Sequence, residues 1–307
     1  MTGLPSRVTV VEVGPRDGLQ NEAAGLSVDD RVAFTQALLN AGLRVVEAGA
    51  LVSPRAVPQM AGSEEVFARL SAREGVRLPL LVPNRQGFDR ALAKGVRAIA
   101  VFTAASETFN RKNINATIEE SFQRFAQFLP EARREGIWIR GYISTSFGCP
   151  YEGPVESAKV EEVARRLVDL GCDEISIGDT IGVGVPSQVA ELLGRLQETV
   201  PRKHLAVHFH DTRGTALANV LAALQEGIAI VDSAAGGLGG CPYAPGASGN
   251  LATEDLLYML HGMGIETGVD LEAVARASRA VGHLLARTLP SRYVQAGPPP
   301  SPEPAGR

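Results

Sequence analysis

Short apolar runs rich in β-branched residues alternate along the chain with longer stretches whose apolar positions recur at helical spacing. The runs are "VTVVEV" (8–13), "RVVEAG" (44–49), "LPLLVP" (78–83), "AIAVFT" (98–103), "WIRGYIS" (138–144), "EISIGD" (174–179), "LAVHFH" (205–210) and "AIVDSA" (229–234). Most are continuously apolar, the pattern of parallel strands covered by helices. Between them, "DDRVAFTQALLNAG" and "IEESFQRFAQFLPEARREG" carry amphipathic patterns, and the second opens on Thr117 with Glu120 three residues on, a capping box. The junctions share one grammar of helix, glycine and apolar strand, at Gly42, Gly95, Gly136, Gly171 and Gly227. Glycine is common there because it takes the left-handed conformation that ends a helix at least cost. Gly42 and Gly227 stand six units apart, about 31 residues per unit, and eight such units make about 250 residues, the size of one barrel. The pattern predicts an α/β fold, a (β/α)8 TIM barrel, with additional C-terminal helices over residues 253–289. An open doubly wound sheet is the alternative, although "GGLGG" (236–240) lacks the following acidic residue of a dinucleotide site.

Composition sharpens this picture. The chain has 307 residues and is 45% hydrophobic, enough for a sizeable core. We expect one catalytic domain over residues 1–290 and a flexible Pro-rich tail over 291–307, since "AGPPPSPEPAGR" cannot build a core. A net charge of −4 implies no general affinity for nucleic acid or anionic membrane. No run of about 18 apolar residues predicts a membrane span, and the first residues do not read as a signal peptide. Three cysteines, Cys149, Cys172 and Cys241, make no disulfide framework in a chain of this size, so a reducing, cytoplasmic location is expected.

In a barrel, chemistry sits where strands run into the following loops. Those ends are rich in polar and glycine residues here: "GPRDGLQNE", "AASETFNRKNIN", "STSFGCPYEG", "GDTIGVG", "HFHDTRG" and "GGLGGCPYAPGASGN". The chain has only five histidines, and two of them, His208 and His210, stand at i and i+2. On a strand such positions share a face, so both imidazoles can grip one cation at the barrel mouth; two hydrogen-bonded structural histidines are the plainer alternative. Asp17 after the first strand and Asn250 after the glycine-rich loop supply oxygen donors. One carboxylate, two imidazoles and one amide suit octahedral Mg²⁺ or Mn²⁺ with positions left for substrate. Arg16 at the same mouth is placed to stabilise a developing oxyanion. Glu47 and Asp179 lie on apolar strands and need partners there. The "NRKN" run (110–113) is either a solvated charge run or a phosphate site. Cys241 follows "GLGG", and a thiol on such a loop suits a proton carrier, with a buried inert thiol as the alternative.

Together, "GPRDGLQNE", "VSPRAVPQM", "AASETFNRKNINATIEESFQRF", "GCPYEGPV", "EISIGDTIGVG", "AVHFHDTRGTALANV" and "GLGGCPYAPGASGNLATEDLLYML" closely resemble the 3-hydroxy-3-methylglutaryl-CoA lyase family, over about residues 8–261. The resemblance places the chain in the metal-dependent lyase and Claisen-condensation barrel superfamily. It implies cleavage of a tertiary 3-hydroxyacyl-CoA to acetyl-CoA and acetoacetate, with Mg²⁺ or Mn²⁺ held by Asp17, His208, His210 and Asn250. It further implies that Arg16 stabilises the enolate, Glu47 orients Arg16 or the metal's surroundings, and Cys241 protonates the enolate carbon. Either His208 or Asp17 takes the hydroxyl proton. Substrate contacts are implied for Arg16, Gln20, Ala50, Asn113, Asp179 and Thr180. The implied partner is an acyl-CoA thioester, and a homo-oligomer, dimer or tetramer, is expected. Two departures stand out. Ala50 and Leu51 replace the usual Ser-Phe before "VSP", which predicts a roomier, less polar acyl pocket, and Ala23 stands where some members carry a Lys near CoA. A lyase for another branched 3-hydroxyacyl-CoA, or a Claisen-type condensing enzyme, is the alternative.

Overall fold

The computed structural model describes residues 3–23, 25–70, 73–240 and 249–298. Its parallel strands are β1 (Thr9–Glu12), β2 in two pieces (Val45–Val46 and Gly49–Ala50), β3 (Leu80–Leu81), β4 (Ala98–Ala104), β5 (Trp138–Ser144), β6 (Glu174–Asp179), β7 (Leu205–Phe209) and β8 (Ile230–Ser233). They pair in chain order, and β8 returns to β1. Closure runs through β2. Glu47 N donates to Glu12 O at 2.9 Å on one side, while Val46 N and Ala48 N donate to Arg77 O (3.1 Å) and Pro79 O (3.0 Å) on the other. Both edges of the sheet therefore belong to one stretch of chain, and the open-sheet alternative falls.

The eight expected strands are the eight barrel positions, with two local differences. The run at 78–83 keeps a regular ladder only at Leu80–Leu81, because Pro79 and Pro83 on either side have no N–H to donate. The run at 44–49 breaks at Glu47–Ala48 and resumes at Gly49.

Outside the barrel lie α1 (Val28–Asn40), α2 (Ser63–Arg69), α3 (Arg85–Ala93), α4 (Glu107–Ile114), α5 (Ile118–Ala126), α6 (Leu129–Arg134), α7 (Ser157–Asp169), α8 (Pro186–Leu196) and α9 (Ala216–Gln225). The five junction glycines all have φ between +66° and +102°, which is the conformation that selects glycine. Thr117 and Glu120 form the expected capping box on α5: Thr117 Oγ1 accepts from Glu120 N at 2.9 Å and Glu120 Oε2 from Thr117 N at 2.7 Å. Helices and strands meet through a continuous apolar layer. Within it, Phe128 stacks on Phe88 and meets Phe125 edge-on between α3, α5 and α6, with centroids 5.3 and 6.4 Å apart; each such ring contributes about 1.5–3 kcal/mol by burial.

The C-terminal extension is helical, as α10 (Thr253–Gly262), α11 (Leu271–Leu284) and a further helix α12 (Arg292–Ala296). The boundary expected at residue 290 is thus corrected. Ser291 caps α12 by accepting from Val294 N at 3.2 Å, and Asp255 on α10 accepts from Arg292 N (3.0 Å) and Tyr293 N (2.8 Å). These bonds order a segment that precedes the prolines of the tail, which begin at Pro298.

Candidate active site

A cavity of about 540 Å³ opens at the C-terminal end of the barrel. Arg16, Asp17, Gln20, His208, His210, Asn113 and Thr180 all line it. The chain after β1 folds into one wide helical turn over Gly14–Gly18. Glu12 fixes that turn from beneath, its carboxylate accepting from Gly14 N (2.8 Å), Ala235 N (2.9 Å) and Thr253 Oγ1 (2.7 Å). Arg16 and Asp17 are thereby aimed into the mouth.

Arg16 is locked between two carboxylates. Its Nε and Nη2 both meet Glu47 Oε2 at 2.6 Å, and Nη1 meets Asp17 Oδ1 at 2.6 Å. Tyr142 lies beneath, its ring centroid 5.4 Å from the guanidinium carbon. Three of the guanidinium's five N–H groups are engaged in this way, leaving two for another acceptor. Burial works against the Arg16 charge, but Glu47 and Asp17 more than offset it and raise its pKa. Burial likewise pushes the Asp17 carboxyl up, yet Arg16, the two imidazoles and the Asn250 amide bring it down to about 2. Asp17 is therefore an anion at neutral pH.

His208 at the end of β7 and His210 just beyond it turn the same way, with ring centroids 5.4 Å apart. Asp17, His208 and His210 present ligand atoms that all lie within 4.8 Å of one another. Burial and the neighbouring His208 lower His210 to about 4, so its ring is neutral, as a metal ligand must be. Its Nδ1 is a buried polar atom with no partner among the described residues. An anionic carboxylate and two converging imidazoles, one of them neutral with an orphaned ring nitrogen, together fit a divalent cation. Asn250 donates its amide nitrogen to Asp17 Oδ2 (2.9 Å) and Leu238 O (3.1 Å), so only its Oδ1 remains as a ligand atom.

Other expected residues fall elsewhere. Asp179 is fully buried, and its two oxygens accept from Val183 N (3.0 Å) and Gly184 N (2.8 Å). It shapes the loop after β6 and does not line the cavity. Burial raises its pKa against those backbone bonds. Thr180 does line the cavity, and its hydroxyl accepts from Thr145 N at 2.9 Å. Ala50 and Leu51 are both 2% exposed and do not line the cavity. Ala50 N donates to Ser63 Oγ at 3.1 Å, on the α2 side of β2. The expectation that these two residues widen the acyl pocket is therefore corrected: the wall beside β2 is Val52 and Ser53, faced by Leu81, Phe102 and Tyr142. Cys241 lies outside the described residues. Asn113 and Lys112 belong to α4, a helix in the stretch read from sequence as a strand-end loop, which Ser106 caps by accepting from Phe109 N at 3.2 Å.

Sequence reasoning passed over four charged residues that support the site: Glu12, Arg140, Asp232 and Glu254. Glu254 is fully buried and accepts from Gly236 N through both oxygens, at 3.0 and 2.9 Å. The signal for three of the four was available, a lone charge inside an apolar strand, which always requires a buried partner.

Fold and site thus define a closed parallel barrel with an arginine-backed, cation-competent centre at its C-terminal mouth. The HMGL-like family model matches residues 7–281, and the chain belongs to that family. It is 53% identical over 296 residues to the cytoplasmic 3-hydroxy-3-methylglutaryl-CoA lyase of Rattus norvegicus, an alignment covering 96% of this chain and 86% of the relative. A crystal structure of hydroxymethylglutaryl-CoA lyase from Pseudomonas aeruginosa superposes with a TM-score of 0.94 at 50% identity, covering 96% of this chain and 98% of that one. An HMG-CoA lyase from Acinetobacter baumannii, solved with coenzyme A and 3-methylmalate, gives a TM-score of 0.93 at 36% identity over the whole of both chains.

Proposed function

We propose that this enzyme cleaves 3-hydroxy-3-methylglutaryl-CoA to acetyl-CoA and acetoacetate, and that Mg²⁺ or Mn²⁺ is bound by Asp17, His208, His210 and Asn250. The observation that carries this reading is the convergence of Asp17, His208 and His210 on one point beside the locked guanidinium of Arg16. A bound divalent cation supplies Lewis-acid polarisation of the substrate's oxygens.

The protein's own groups do the rest. The C3 hydroxyl loses its proton to His208 or Asp17. The C2–C3 bond then breaks, its electron pair passing to C2 and the thioester carbonyl as an enolate. The two unengaged N–H groups of Arg16 face that oxygen, where a fixed donor acts chiefly in the transition state. Glu47 keeps the guanidinium from following the substrate. Cys241 delivers the proton that C2 needs to become the acetyl methyl group, and the thiolate is reset from solvent. Lys112, Asn113 and Arg124 line the outer cavity and suit the CoA portion. Relatives of nearly equal identity are named cytoplasmic and mitochondrial, so the cytoplasmic reading rests on the sparse cysteines; no described helix is long and apolar enough to cross a membrane.

Purified enzyme with Mg²⁺ should release acetyl-CoA and acetoacetate in equal amounts from 3-hydroxy-3-methylglutaryl-CoA. A panel of other 3-hydroxyacyl-CoA thioesters should react more slowly. Absence of acetyl-CoA with this substrate, or a faster panel member, overturns the assignment.

A further inference from the structure

Below the mouth, the barrel interior holds charges that the chemistry above does not use. Arg140 on β5 is fully buried and pairs with Asp232 (Nη2 to Oδ1, 2.6 Å) and Glu174 (Nε to Oε1, 2.8 Å). It also donates to the Tyr142 hydroxyl at 2.9 Å. Such a group is costly to bury, and apolar residues of similar volume often serve a core as well or better. Its retention asks for a role.

The register supplies one. Parallel pairing of β7 with β8 sets His208 directly opposite Asp232. The second carboxylate oxygen of Asp232 accepts from Ser176 Oγ at 3.0 Å and lies 3.3 Å from His208 Nδ1. The imidazole is thus backed by an anion that is itself fixed by Arg140. Packing adds to this: the Tyr142 ring meets the His208 ring edge-on, with centroids 6.1 Å apart. His210 has no comparable support among the described residues, where its Nδ1 is without a partner. Two histidines two residues apart are therefore held in different ways.

We propose that Asp232 is the positioning residue for His208, accepting its Nδ1–H and so leaving Nε2 as the lone-pair nitrogen offered to the cation, with Arg140 holding Asp232 in place. A carboxylate behind an imidazole fixes both the ring plane and the tautomer before any metal arrives. His208 is then the prebuilt ligand of the site, His210 is the ligand completed by the metal, and of the two groups named above for the hydroxyl proton Asp17 is the one left to take it, because neither nitrogen of His208 remains free. The inference rests on the cation reading given above, but its central claim concerns the metal-free protein.

The test is a long-range ¹H–¹⁵N spectrum of metal-free, ¹⁵N-histidine-labelled enzyme. His208 should show a protonated Nδ1 and an unprotonated Nε2. In Asp232→Asn the side-chain amide can donate to Nδ1, so the proton should move to Nε2. Mn²⁺ affinity measured by titration should then fall about 10–100-fold, the usual range when a group orienting a ligand is lost. Thermal unfolding of the variant separates this from collapse of the barrel. If the variant does not fold, the wild-type spectrum alone decides. A wild-type His208 protonated at Nε2 overturns the proposal, as does a folded Asp232→Asn whose Mn²⁺ affinity stays within twofold. Failure of wild-type enzyme to bind Mn²⁺ would sink the cation reading instead, while the tautomer still reports on Asp232.

Discussion

Replacing Arg16 with lysine keeps the positive charge and removes the fork. In the native site three N–H groups of the guanidinium reach two carboxylates at 2.6 Å, with Glu47 fully buried and Arg16 only 7% exposed. One ammonium cannot span both carboxylates while also facing the substrate. At least one charge-assisted bond is lost outright, worth about 1.5–3 kcal/mol, and Glu47 is left poorly paired in a dry setting. Taking about 3 kcal/mol as the loss felt in the transition state, the rate falls about 10²-fold, at the low end of what removal of an oxyanion donor costs. Initial rates across a range of 3-hydroxy-3-methylglutaryl-CoA concentrations, at saturating Mg²⁺, give kcat and KM separately. We expect the loss in kcat, with KM changed by no more than about threefold, because the missing contact matters most after the C–C bond begins to break. A thermal melt run in parallel shows whether the fold survives. A folded Arg16→Lys enzyme with more than about a tenth of wild-type kcat would refute the assignment of this guanidinium to the enolate.

Further outcomes follow from the same geometry. Burial lifts the Glu12 carboxyl from 4.5 to about 7; a folded-state pKa above the unfolded one makes stability full below about pH 4.5 and progressively lost as pH rises towards 7. Glu12→Gln should therefore flatten that decline, measured by urea unfolding at about pH 5 and about pH 8, and an unchanged slope would clear Glu12 of the effect. Chelator-stripped enzyme should be inactive until Mg²⁺ or Mn²⁺ is restored, and His210→Ala should weaken Mn²⁺ binding by at least about tenfold while remaining folded. Leu51→Phe overfills a closed site and should lower stability by about 1–3 kcal/mol without altering the ranking of acyl substrates, so a shifted ranking would reinstate that residue in the pocket. Cys241→Ala should bind substrate and metal yet turn over slowly, and deuterium from solvent should enter the acetyl methyl group at a correspondingly reduced rate in a single-turnover experiment.

The barrel is legible in the sequence because its signals are local. Apolar runs mark strands, and a glycine after each of five helices marks the return to the sheet. The site was legible for the same reason where its residues sit at strand ends: His208 and His210 reveal themselves by spacing, and Asp17 by position. What escaped was set by long-range partners. Asp179 and Glu47 look alike in sequence, each an acid on an apolar strand. Yet Glu47 meets a guanidinium in the mouth, whereas Asp179 spends both oxygens on the backbone of its own loop. Ala50 and Leu51 stand next to the active stretch in sequence, but both are buried away from the cavity, and Ala50 N is bonded to Ser63 of α2. Asp232 is visible in sequence only as a charge out of place, and its partners come from β5, β6 and β7, whose register no local pattern states.

The last helix has a practical consequence for anyone handling this protein. Ser291 N donates to Gly236 O at 3.1 Å, so the segment that leads into α12 is tied to the glycine run that follows β8. Gly236 itself has φ +68°, and a Cβ there would collide with Leu289. The segment 291–296 is thus a clasp on the root of the chain that follows β8. Trimming the chain at residue 290, or fusing a bulky tag directly to Ala296, would act on that root from outside the barrel. An expression design that keeps residues 291–298 intact and places any tag beyond them leaves the clasp shut.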